Sequence, residues 1–240
     1  TSINAGSLDD IPVDVLTNVL LNHVFLGEVQ SSALTNGYAS TQAISNASDT
    51  NMSIYINTDN GVIFNGVSSV TTADVVASNG IVHIVDSVIG LPTVVTFALA
   101  DPNFEILVQA LTRDDLTMDF VGLLNSSTSP PTPLTVFAPV NNAFVNLLDE
   151  LGLSSLNDID EPTLSAVLTY HVVTGANQLS INLSDGMEFT TAEGGTLLFN
   201  FGDNGEGLLT DNNGRTSNIV AVDVQANNGI IHAIDTVVLP

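Results

Sequence analysis

Cysteine is absent from the 240 residues, and so is lysine; Arg113, Arg215 and four histidines are the whole basic complement. Without cysteine there is no disulfide framework and no thiol chemistry. Without clustered Lys and Arg, nucleic acid and anionic membrane are excluded as partners, because both are held by basic patches. A phosphate-binding loop that depends on Lys is excluded as well. Tryptophan is missing and aromatics make up 5% of the chain, which argues against exposed ring platforms for sugars. No uninterrupted apolar run is long enough for a transmembrane segment. No basic stretch followed by an apolar core opens the chain, and its first residue is Thr1, so it reads as processed or truncated.

What is present is acid and aliphatic. Twenty-six Asp and Glu give a formal charge of −24, while 44% of residues are apolar. Mean hydropathy is +0.36, and the longest apolar runs are short and rich in Val and Ile, which suits buried strands. A surface dense in Asp, Asn, Ser and Thr suits an extracellular or cell-surface setting, where salt screens the repulsion. The lack of disulfides there points to a bacterial source. Divalent cations could bridge such surfaces.

The chain ends on "NNGIIHAIDTVVLP" (227–240), and "SNGIVHIVDSVIGLP" stands at 78–92. Asn79, Gly80, Ile81, His83, Asp86 and Val88 recur as Asn228, Gly229, Ile230, His232, Asp235 and Val237, an offset of 149. Upstream, "LTNVLLNHVFLG" (16–27) matches "LSAVLTYHVVTG" (164–175) at an offset of 148. "LTNG" (34–37) pairs with "LSDG" (183–186), and Asp74-Val75 with Asp223-Val224. One order of blocks occurs twice, at a period far too long for a solenoid. This is a tandem duplication, with one unit over 1–92 and a second over 93–240. The opening third of the second unit has no counterpart in the first. A first unit lacking that third should expose apolar surface, and if it is ordered a separate peptide or another chain should occupy the place of its missing strand.

In the longer copy, "ADPNFEILVQAL" reads as a helix capped by Asp101, with Pro102 at its first position. "SSTSPPTP" (126–133) reads as a loop, "LTVFAP" (134–139) as a short buried strand, and "NNAFVNLLDEL" (141–151) as a helix capped by Asn141. Leu164, Val167, Leu168 and His171 fall at helical spacing, so His171 ends an apolar stripe that Leu16, Val19, Leu20 and His23 repeat. After Gly175 come short strands joined by Gly- and Asn-rich turns; "MSIYINTDNGVIFNG" is a hairpin turning at Asn60-Gly61. Helices first and strands afterwards read as α+β.

Together these motifs resemble the fasciclin-I domain family. "LTVFAPVNNAF" is similar to its first sequence block, "VLTYHVVTG" to its Tyr-His region, and "NNGIIHAIDTVVLP" to its second block. The resemblance implies two fasciclin-like domains, each a wedge-shaped β-sandwich flanked by helices, the first incomplete at its N-terminus. It implies a non-enzymatic adhesion or matrix-interaction role, secreted or at a cell surface, with a protein or matrix partner or with self-association. In animal members adhesion is attributed to the Tyr-His region and to an Asp-Ile pair before the second block. Carried over, these are Tyr170, His171, Asp223 and Val224, the candidate partner-binding residues. The first unit departs at Asn22-His23, and Val replaces Ile in both pairs.

Other chemistry is weighed residue by residue. Each of the four His is compatible with a metal ligand or a base, but none has a second His or a carboxylate at ligand spacing within its motif. Hydrogen-bonded structural roles are expected instead, and the same for Asp86 and Asp235. No Gly-x-Ser-x-Gly elbow occurs, so no catalytic residue is named and no enzyme or cofactor is expected. Asp203, Glu206 and Asp211 offer hard oxygen ligands near flexible turns, but their spacing fails the EF-hand pattern. The alternative to adhesion is a small-ligand or glycan-binding module, which needs a pocket lined by Tyr38, Tyr55 or Tyr170.

Overall fold

The computed structural model describes residues 7–126 and 132–240. Most of the loop expected at 126–133 lies outside them. The first half opens with α1 (Val13–Leu21), followed by β1 (Gly37–Ile44), β2 (Asn51–Asn57), β3 (Ile63–Phe64), β4 (Ser68–Ala77) and β5 (Gly80–Val85). These strands form one antiparallel sheet in chain order, β1-β2-β3-β4-β5. The turn expected between β2 and β3 is there, with Gly61 at φ +92°, a left-handed position that costs glycine nothing.

The second half places helices before strands, as the pattern implied. They are α2 (Val94–Ala100), α3 (Glu105–Leu111), α4 (Phe120–Asn125), α5 (Asn141–Leu151) and α6 (Glu161–Tyr170), with one strand, β6 (Leu134–Pro139), between α4 and α5. After them come β7 (Val172–Thr174), β8 (Met187–Thr190), β9 (Thr196–Phe201), β10 (Gly207–Thr210), β11 (Thr216–Gln225) and β12 (Gly229–Ile234). The sheet runs β7-β6-β12-β11-β10-β9-β8. Its last five strands repeat the first sheet; β6 and β7 are the addition. β6 lies parallel to β12, with Val136 opposite Ile231, and all six of its residues are buried.

Local chemistry sets several helix starts. The Asp101 carboxylate accepts from Asn103 N at 3.0 Å and caps a single 3-10 turn, Pro102–Phe104, that runs into α3. The Asp160 carboxylate accepts from Thr163 N at 3.0 Å, with Pro162 in the first turn of α6. Asn141 is not the cap expected of it: Val140 holds that position, and the Asn141 side-chain Oδ1 reaches across to accept from Ile106 N at 2.9 Å, tying α5 to α3. α2 has no clear signal in its Val-Val-Thr-Phe opening, a β-favouring composition. Its Thr93 cap and the burial of Val94, Phe97 and Ala100 on one face override that preference.

The larger core lies between β6, β12, β11 and the helices, around Phe97, Phe104, Phe120, Phe144 and Leu164. A second cluster, with Phe137, Tyr170, Phe189 and Phe199, fills the other side of the longer sheet. The first half has only a small core around Ile54, Ile56, Phe64 and Ile89. The two halves meet along a bonded seam. Ser45 Oγ donates to the Ala226 carbonyl at 2.6 Å, Gln225 N donates to Ser53 Oγ at 3.0 Å, and the Tyr38 hydroxyl donates to Asp101 at 2.9 Å. Tyr55 carries the contact into the large core.

Candidate functional site

The duplicated signatures form the same constructions in both halves. Asp74 and Asp223 each sit at φ +60° in an irregular stretch of their β-ladders. A left-handed conformation is strained for most residues and best tolerated by Asn and Asp, whose side chains bond locally. Each carboxylate accepts from the backbone N of a serine, Ser31 or Ser180, at 2.8 Å and from that serine's hydroxyl as well. The serine bonds hold the Asp74 carboxyl below the usual carboxylate range. The Asp-Val pair is thus a bulge whose Asp locks the chain beside it.

The helix-end histidines are clamps. His171 Nδ1 donates to the Val167 carbonyl at 2.7 Å and Nε2 accepts from Val238 N at 3.2 Å; His23 does the same with Val19 and Ile89 at 2.7 and 3.0 Å. Both bonds fit a neutral ring. Burial pushes the His171 imidazole down to about 4. Its neighbour Tyr170 is fully buried, donates to the Thr196 carbonyl and accepts from Asn212 N, and burial raises its hydroxyl. His83 and His232 bond the carbonyls of Val29 and Gln178 through Nε2, at 2.9 and 2.8 Å.

Of the four candidate contact residues, Tyr170, His171 and Val224 are therefore interior, and Asp223 is half-buried with its oxygens committed to Ser180. Tyr170 and His171 belong to one strap between α6 and the chain end; Asp223 and Val224 lie on β11. The acidic residues weighed for calcium do not converge. Asp211 accepts from Asn213 N, Arg215 N and Leu239 N, Glu206 from Asn204 N, and Asp203 is exposed. Among the described residues no group of three or more His, Asp or Glu could hold a metal ion. Tyr38 and Tyr55 pack edge to face at 5.0 Å inside the seam, where burial and the nearby Asp101 push the Tyr55 hydroxyl up to about 12. Tyr55 and Tyr170 are buried, so neither offers a ring to a sugar.

What the sequence did suggest, and the structure displays, is an open face on the first half. Among the described residues β5 pairs with β4 alone, whereas its counterpart β12 lies between β11 and β6. Val75, Val82, Ile84 and Val88 correspond to Val224, Ile231, Ala233 and Val237, all packed in the large core. Val82 is 50% exposed against 2% for Ile231, and Val88 is 70% exposed against 0% for Val237. Val76, which pairs with Ile81 rather than Val82, is 82% exposed on the opposite face of the ladder. Residues 24–26 repeat the pattern of β7 but form no strand; among the described residues nothing stands where β6 would pair with them. An unpaired edge beside a contiguous valine and isoleucine surface is a site built for contact with another surface.

Comparison with known proteins places these observations. The sequence pattern of the Fasciclin domain matches residues 2–92 and 102–240. An uncharacterised protein of Synechocystis is 34% identical over 153 residues, covering 62% of this chain and 98% of that protein. Human periostin is 28% identical over 247 residues, an alignment that takes in the whole chain but only 26% of periostin. Among solved structures, a FAS1 domain pair from the insect cell adhesion molecule Fasciclin I superposes with a TM-score of 0.55 at 21% identity, over 93% of this chain and 79% of that one.

Proposed function

Since this chain belongs to the fasciclin domain family, we propose that it is a non-enzymatic adhesion or matrix-interaction module working outside the cell or at its surface. The observation that carries this reading is the open β5 edge with its exposed face of Val75, Val82, Ile84 and Val88. A free edge offers unpaired N–H and C=O groups, and the flanking aliphatics supply area to bury. The likeness to a domain pair from an insect cell adhesion molecule supports the same class of role. The units divide near residue 92, and the hydrogen-bonded seam between them forms the base from which the first presents its face.

The partner is a protein or matrix surface, and self-association through two β5 edges is the simplest form. At a net charge of −24 two copies repel, so salt or divalent cations bridging the acidic surfaces assist the contact. Tyr170, His171, Asp223 and Val224 serve adhesion from beneath, by holding the sheet that carries the contact rather than by touching the partner.

Bead aggregation tests this. Beads coated with the chain should cluster in salt or calcium. Beads coated with the double variant Val82→Glu/Ile84→Glu should stay dispersed. Clustering that survives the double variant would move the contact off this face.

A further inference from the structure

The second half contains a cavity of about 220 Å³ between its helices and its sheet. Val136 and Ile231 form its floor, Phe104, Leu107 and Leu124 its walls, and Leu99 and Val121 its mouth. The wall and floor residues are buried, while Leu99 is 66% and Val121 37% exposed. The space is therefore open to solvent through an apolar rim.

Only two polar side chains, His171 and Thr112, reach its lining. His171 reaches the cavity, but both ring nitrogens are spent on Val167 O and Val238 N. Thr112 also lines it, and its hydroxyl donates to Val108 O. Water needs two to four polar partners to settle in a buried site, so this space does not suit ordered water. An apolar cavity of roughly 150 Å³ stays dry and takes up benzene, and this one is larger.

We infer that the cavity is a binding site for a single aliphatic chain, the tail of an amphiphile whose head stays at the Leu99–Val121 rim. The tail needs no polar atom, since no free donor would meet it. The head is neutral or cationic: the molecule carries −24 and two arginines, so a carboxylate head is repelled. The site lies away from the β5 face and is independent of the adhesion reading. It is also a ligand site without sugar character, since none of Tyr38, Tyr55 and Tyr170 lines it.

Isothermal titration of the whole chain with 1-hexanol, 1-octanol, 1-decanol and decanoate tests this. One site per chain is expected, tightening about fourfold for each methylene until the cavity is full. Decanoate should bind more weakly than 1-decanol at low salt. Ala98→Phe, which grows a ring into the lining, should weaken 1-decanol at least tenfold, while Val82→Glu on the first sheet leaves it unchanged. Val121→Trp closes the mouth from the surface and should act like Ala98→Phe should the latter misfold. Absence of saturable binding overturns the inference. So does 1-decanol affinity unmoved in a folded Ala98→Phe or Val121→Trp chain, or lost in Val82→Glu, which would place the ligand on the exposed valines. Equal affinity for 1-decanol and decanoate would overturn the choice of head group.

Discussion

His171 couples the fold to pH. Its imidazole bridges the end of α6 to Val238, and burial lowers its proton affinity to about 4 from the ordinary 6.5. Because the folded value is depressed, the unfolded chain takes up the proton first. Stability from this group is full above pH 6.5 and drains as pH falls toward 4, by about 3 kcal/mol in all. Burial lowers His232 in the same direction. Denaturant melts at stepped pH should show this loss, and His171→Leu should start less stable but lose less between those limits. The sequence pointed to hydrogen-bonded structural histidines, because each ended an apolar stripe or entered a buried strand. It could not show that Tyr170 and Val224 would be interior too. A motif records which residues recur, and burial depends on what packs over them.

The two sheets offer one experiment done twice. Equivalent strands, β5 and β12, differ chiefly in what covers them, so equivalent truncations should differ in cost. Ile231→Ala should destabilise by about 2–5 kcal/mol, as filled core positions do. Val82→Ala, half-exposed, should stay within about 0.5 kcal/mol. Chemical denaturation of the two variants compares them directly, and equal costs would mean the β5 face is covered in solution. At this scale the hairpins, α5, α6 and the β6 strand were legible, because period and turn chemistry are local. α2 and the parallel pairing of β6 with β12 were not. Val94, Val95 and Thr96 favour a strand until the core claims one helical face, and nothing local joins residues 134–139 to residues 229–234. Residues 24–26 make the same point from the other side: a strand pattern without a neighbour stays irregular.

At the scale of the whole molecule, the repeat at 149 revealed a pair of related units, and the unmatched opening third foretold the exposed face. The seam was not legible, since its residues come from opposite ends of the chain. Gln225 is its hub: the two hydrogens on Nε2 are shared among Ser45 Oγ, Asn177 Oδ1 and the Ala226 and Gly229 carbonyls, and Oε1 accepts from Thr50 and Asn177. Removing a buried network member strands its partners, so Gln225→Ala should cost about 2–3 kcal/mol. Calorimetry should then resolve separate transitions for the two halves; a single cooperative transition of unchanged midpoint would show that Gln225 is not what joins them.

The face of β5 carries the functional account, and sedimentation velocity tests it most directly. The wild-type chain and Val82→Glu/Ile84→Glu should be run over a concentration series, with calcium and with a chelator. The account predicts a reversible dimer for the wild type, strengthened by salt or calcium, and a monomer throughout for the double variant. A wild-type chain that stays monomeric under every condition, or a dimer that the double variant leaves intact, would contradict it.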